Sequence, residues 1–314
     1  MSRFRLKKED VQVLLSLAQY WVLTTEQVTA LHFRSLKVAR RRLRQLHEES
    51  LVAEKHRGYG RKRGRPEKVF APSAMGCDLL VESNHLPSTT SYESVSAENL
   101  RCLDHQILVN WFRIHLLQVE KVLFRLRIDF IASHGASHRV CEHAPQNACL
   151  SSTGSDGQNN VDLTAVLEFN PDGVLAITDR EQKKSVLFFL EVDLGTEHLA
   201  SSKREARDVR QKIANYQALS GSERYKIFEK IFGLAFKRFR VLFVTVSPER
   251  EVALCKLIQE MAPSEFIWVT EQQRMFSQGL ADAIWIRGGQ MNVPHTSILN
   301  EEMRRPTPVL PLKP

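Results

Sequence analysis

Three carboxylates and two further polar side chains fall within residues 171–216, at spacings that could hold a cation or activate a water. Asp172 opens an apolar run at 173–178, a charged turn follows at 179–184, and a second run spans 186–193. Two such runs joined by a polar turn predict a β-hairpin. Period-two alternation on the second strand puts Leu187, Phe189, Glu191 and Asp193 on one face and Val186, Phe188, Leu190 and Val192 on the other. A strand of this kind is covered on both sides, so two acids at its end need a partner. That partner is a divalent cation, a basic side chain or backbone N–H groups. An oxygen set of Asp172, Glu191 and Asp193 suits Mg2+ or Mn2+. The helix expected after Gly195 offers Lys203 and Lys212, nine residues and so about half a turn out of phase. Only one of them can face the acids. Lys212 shares a face with Tyr216, four residues on.

These residues resemble the PD-(D/E)xK nuclease-like fold, in which a hairpin presents one Asp and then an acid-x-Lys. Asp172 matches the first acid and Glu191 the second, while Asp193 stands where that family has its lysine. The resemblance implies a lysine that has migrated to the next helix, as Lys212. The series E-x-D-x-G-T at 191–196, then K-I-x-x-Y at 212–216, with a basic module upstream, is similar to the replication-relaxation family and to MobC-type relaxases. It extends over roughly residues 10 to 290. The resemblance implies DNA binding joined to a nuclease-like core on a plasmid or mobile element. Catalytic roles then fall to Asp172, Glu191, Asp193, Lys212 and Tyr216, with Mg2+ or Mn2+ on the three acids. The family's L-x-H helix corresponds to Leu103, Asp104 and His105.

Positioning such a cluster takes a whole domain, and 314 residues leave room for two. The net charge of +8 comes from 44 basic and 36 acidic residues, and residues 1–86 hold 17 of the basic and 9 of the acidic ones. The entire excess lies there, which predicts a basic N-terminal module that meets a polyanion. Within it, a helix at 9–20 precedes one at 25–32 with a Thr24–Gln27 capping box. Ser35 caps a third, whose apolar line is Leu36, Ala39, Leu43 and Leu46. The other face carries Lys37, Arg40, Arg41, Arg42 and Arg44, the pattern of a recognition helix. Two strands flank a Gly-rich tip with Arg57, Arg61, Lys62, Arg63 and Arg65, as in the wing of a winged helix-turn-helix.

The expected organisation is a winged helix at 1–83, a linker at 84–96, a restriction-endonuclease-like mixed α/β domain at 97–291 and a Pro-rich tail at 292–314. His134, His138, Cys141, His143 and Cys149 lack a zinc spacing and read as a surface loop. Asp162 is a reserve acid. His105, Asn110 and Glu120, on the helix expected at 97–123, read as packing rather than catalytic groups. Strands are expected at 240–247, 266–270 and 283–286, with helices at 222–238 and 249–261. No apolar run reaches the ~18 residues of a membrane span, no signal peptide opens the chain, and five cysteines without CxxC spacing suit a reducing cytoplasm, which the resemblance implies is bacterial.

Two functional readings follow. In one, the protein cleaves a strand of double-stranded DNA in a metal-dependent way, without a small-molecule cofactor. In the other, the core is inactive, and the protein regulates replication or transcription, with the second domain forming a homodimer or recruiting partners.

Overall fold

The computed structural model describes residues 5–56, 67–100, 102–132, 167, 169–200 and 208–299. By its contacts the chain forms two compact units, Met1–Ile114 and His115–Pro314.

The first unit contains helices α1 (Lys8–Tyr20), α2 (Thr25–His32), α3 (Leu36–Glu48) and α4 (Ala74–Glu82), with strands β1 (Leu23–Thr24), β2 (Val52–Lys55) and β3 (Val69–Pro72). The capping box forms as the spacing predicts: Gln27 N–H donates to Thr24 Oγ1 and Thr24 N–H to Gln27 Oε1. Ser35 caps α3, whose Ala39, Leu43 and Leu46 are buried at one-turn spacing. The three strands form an antiparallel sheet in the order β1-β3-β2. Gly76 in α4 is required by packing, because a Cβ there would lie 2.2 Å from the Leu51 carbonyl oxygen.

The linker expected at 84–96 is not a boundary between the units. A short helix α5 (Tyr92–Val95) follows α4, and α6 (Leu103–Val122) begins inside the first unit. Asn110 of α6 donates to the carbonyls of Tyr20 and Val22, at 3.1 and 2.6 Å. Gln27 donates to the Ile107 carbonyl, and the Arg113 guanidinium stacks on Tyr20 at 3.9 Å. Without α6 the Val22 carbonyl and the Gln27 amide would lose these partners inside the protein, so its first half belongs with the helices of the N-terminal unit.

The second unit is built on a six-stranded mixed sheet in the order β4-β5-β6-β7-β8-β9. Its strands are β4 (Leu126–Ala132), β5 (Gly173–Asp179), β6 (Lys184–Asp193), β7 (Phe239–Thr245), β8 (Ile267–Glu271) and β9 (Ile286–Arg287). The first three pair antiparallel, β6, β7 and β8 run parallel, and β9 is antiparallel to β8. Both faces of β6 are buried, as its double apolar alternation demands. Helices α7 (Val209–Ser222), α8 (Ile227–Phe232) and α9 (Pro248–Glu260) add Ile213, Tyr216, Phe228 and Leu254 to the core that packs on Phe189, Val241 and Phe243. A last helix, α10 (Gln272–Gln278), follows β8.

Several elements differ from expectation. Strand β4 is an addition, although Leu126, Ile128 and Phe130 alternate in the sequence and are buried. The helix expected at 222–238 is a 3-10 turn (Arg224–Lys226) plus α8, stopped by Gly233 at φ 68°. The tail does not begin at 292: Thr296 exchanges two backbone hydrogen bonds with Trp285, and Ile298 and Leu299 are buried.

Candidate functional site

The hairpin register fixes the two acids of the site. Gly173 pairs with Leu190, which brings Asp172 beside the end of β6. Asp172 N–H donates to the Leu190 carbonyl, and its Oδ2 accepts from Val192 N–H at 2.7 Å. Gly173 is needed because a Cβ there would sit 2.4 Å from the Phe130 ring. Glu191 points from β6 toward α7 and is 1% exposed.

Helix α7 supplies the other groups. Asp208 caps it by accepting from Gln211 N–H, which sets the phase of the first turns. Lys212 and Tyr216 then face β6 together. The fully buried Tyr216 hydroxyl donates to Glu191 Oε1 at 2.6 Å. Lys212 Nζ lies 3.3 Å from Glu191 Oε2 and 3.0 Å from Glu197 Oε2. The contact with Glu191 is an ion pair without hydrogen-bond geometry, so Glu191 Oε2 is buried and accepts no hydrogen bond.

Burial pushes the Glu191 carboxyl up to about 7; Lys212 opposes that shift, Asp172 adds to it, and the Tyr216 hydrogen bond opposes it. For Lys212, burial works to lower the ammonium, but Glu191, Asp172 and Glu197 together outweigh it and hold it above its ordinary value. Burial and the adjacent Glu191 raise Tyr216 well above the usual phenol. Tyr216 is therefore a donor to Glu191 and poorly suited to be a nucleophile.

Asp193 corrects the expected three-acid metal set. Arg250, in the first turn of α9, grips it through Nε to Oδ2 at 2.6 Å and Nη2 to Oδ1 at 3.1 Å. Gly195 N–H also donates to Asp193 Oδ1. Among the described residues no group of three or more acid, His or Cys side chains could hold a metal ion. A guanidinium fork satisfies both oxygens of Asp193, which leaves Asp172 and Glu191 of the expected three acids beside Lys212.

Sequence reasoning missed Arg250 and Glu197. Asp193 aligns with Thr245 on the parallel neighbour β7, so the helix after β7 starts next to it. That pairing is not encoded in local spacing. Glu197 directly follows the E-x-D-x-G-T series, and its charge beside Lys212 was its available signal. Lys203, Asp162 and the loop holding His134, His138, Cys141, His143 and Cys149 lie outside the described residues.

A second candidate surface lies on the first unit. Lys37, Arg40, Arg41 and Arg44 of α3 carry its basic side, and all four are exposed. Arg42 is corrected: its guanidinium pairs with Asp10, which is fully buried, and donates to Gln45 as well. It braces α3 on α1 instead of facing solvent. Arg40, Arg44 and His47 line a cleft of about 500 Å3 together with Glu26, Glu54 and Lys68. Arg57, Arg61, Lys62, Arg63 and Arg65 belong to the expected wing tip; Arg61, Lys62, Arg63 and Arg65, with Arg57, lie outside the described residues.

The chain is thus a two-unit α/β protein, with an exposed basic helix in one unit and an acid–lysine–tyrosine cluster at a mixed sheet in the other. It belongs to the replication-relaxation family, whose sequence model matches residues 14–234. That membership points to a role in plasmid or mobile-element replication. The matched span includes Asp172, Glu191, Lys212 and Tyr216 but ends before Arg250. No curated protein and no solved structure matches the chain. Among the described residues, no helix is long and apolar enough to cross a membrane.

Proposed function

We propose that the protein is a DNA-nicking protein of plasmid or mobile-element replication and mobilisation. In this reading the first unit is a winged helix that holds double-stranded DNA through α3, and the second is a PD-(D/E)xK-like core. The supporting observation is convergence: an acid from the first hairpin strand, an acid from the second and a lysine from the next helix act on one another. Asp172 and Lys212 each shift the Glu191 carboxyl, and Lys212 touches it directly.

Asp172 and Glu191 fit a divalent cation, since the buried Glu191 Oε2 lacks a hydrogen bond and an oxygen pair suits Mg2+ or Mn2+. A bound cation supplies an acidified water and charge stabilisation at the scissile phosphate. Tyr216 holds Glu191 Oε1, which leaves Oε2 facing the Lys212 ammonium. The Lys212 ammonium orients the attacking water or neutralises a phosphate oxygen. The water oxygen bonds to phosphorus as the P–O bond to the leaving strand breaks, with the water's proton passing to solvent and the leaving oxygen taking one up from solvent to become a hydroxyl.

A second reading has its own observation. Lys212 already neutralises Glu191, and Arg250 already neutralises Asp193, as in a core that has exchanged catalysis for stability. The protein is then a DNA-binding regulator of replication or transcription. A nicking assay on supercoiled plasmid carrying the native origin region separates the two, with and without Mg2+ or Mn2+. The nuclease reading expects metal-dependent relaxation lost in Asp172→Ala and Glu191→Ala. Inertness of wild type with DNA binding intact overturns it in favour of the regulator.

A further inference from the structure

We infer that Glu197 is a positioning residue that takes up the Lys212 ammonium when a divalent cation engages Glu191. The inference rests on the nuclease reading above. Lys212 Nζ sits between two carboxylates, 3.3 Å from Glu191 and 3.0 Å from Glu197. They differ in environment: the Glu191 side chain is 2% exposed and that of Glu197 is 44%. An ammonium and a divalent cation repel each other at one carboxylate oxygen. A cation at Glu191 Oε2 therefore displaces Lys212, and a half-buried ammonium with no other anion would be left uncompensated. Glu197 supplies that anion within the existing contact distance, at the more hydrated end of the site.

The loop that carries Glu197 is fixed by the same feature that removed Asp193 from the metal set. The chain turns at Gly195, with φ +74°, directly after β6. Asp193 accepts from Gly195 N–H and from Arg250, and Arg250 Nη2 donates in turn to the Glu197 carbonyl at 2.7 Å. One guanidinium thus ties the strand end to the backbone of Glu197. Helix α7, capped by Asp208, holds Lys212 from the other side. Asp193 replaces the usual lysine without adding a ligand: with Arg250 it anchors the residue that receives the displaced ammonium.

The test is calorimetric titration of the full-length chain with Mn2+, apart from any cleavage assay, on variants whose circular dichroism matches wild type. Glu197→Gln is expected to weaken Mn2+ binding about two- to five-fold, the scale of one partly exposed ion pair. Glu197→Asp restores most of the affinity. Lys212→Met tightens binding because the competing cation is gone, and Glu197→Gln then has no further effect in that background. Lys212→Gln serves in place of Lys212→Met if the latter does not fold.

Equal weakening by Glu197→Gln with and without Lys212 would make Glu197 a metal ligand and overturn the positioning role. Unchanged affinity in the single Glu197→Gln variant also overturns it, while leaving the nuclease reading standing. No Mn2+ binding by wild type or by the Lys212 variants overturns the nuclease reading, and this inference with it.

Discussion

At the scale of single residues, the determining fact is a carboxyl group inside the protein that shares one lysine and one phenol. Glu191 carries an ordinary value of 4.5 in the unfolded chain and is pushed up to about 7 in the fold, first by burial. Between these values the folded state binds a proton that the unfolded chain has released, so stability falls as pH rises through the window. Glu191→Gln is expected to flatten this slope, because Gln still accepts from Tyr216 and Lys212 keeps Glu197. Urea midpoints at pH 5 and pH 8 measure it: wild type drops across the interval, and the variant does not. An equal drop in both would mean that Glu191 is not the group responsible. Helical phase separates Lys203 from Lys212 without choosing between them, and the choice of Lys212, made on the family resemblance, identifies a lysine that touches Glu191.

At the scale of elements, α3 shows two kinds of arginine on one helix. Arg40, Arg41 and Arg44 are exposed, whereas Arg42 pairs with buried Asp10. Arg42→Ala is expected to lower stability by about 3–5 kcal/mol, the usual effect of stripping a buried carboxylate of its partner. Arg40→Ala and Arg44→Ala should each stay within about 0.5 kcal/mol of wild type while weakening DNA binding. The salt slope should fall by about one for each phosphate that a variant no longer neutralises. Denaturation and salt-dependent binding titrations separate the two classes, and an Arg42 variant that loses affinity but not stability would reverse the assignment. The helical wheel places Arg42 with the other basic residues because periodicity does not register a buried acid on α1.

The N-terminus of α9 repeats the lesson. Arg250→Gln leaves Asp193 buried without its fork and is expected to cost about 3–5 kcal/mol. Arg250→Lys should recover only part, because an ammonium cannot form the bidentate contact. Thermal unfolding of the two variants checks this, and equal stability of both with wild type would make the clamp dispensable. Strand β4 was legible as the alternation of Leu126, Ile128 and Phe130. The two-residue β9 was not, since so short a strand has no period to read.

At the scale of the whole molecule, the proposed work is divided between the units. An Arg40→Ala/Arg44→Ala double variant is expected to need more protein for half-maximal nicking while reaching the same rate at saturation. Asp172→Ala should bind DNA normally and abolish the saturating rate. Nicking measured over a range of protein concentrations resolves the two patterns. A reduced saturating rate in the arginine variant would place α3 in the chemistry and break the division.

The sequence by itself determined what depends on neighbours a few residues away. The Thr24–Gln27 capping box, the Ser35 cap, the buried line of α3 and the two-sided burial of β6 follow from local spacing. So does the shared face of Lys212 and Tyr216. Tertiary structure decided which charges meet across long stretches of chain. Arg250 lies 57 positions from Asp193 and reaches it because β7 is the parallel neighbour of β6. Asn110 lies 90 positions from Tyr20, and its hydrogen bond assigns the start of α6 to the first unit. Strand order and helix docking are set by the summed burial of the whole core, and a buried charge then takes whichever partner that packing brings within reach.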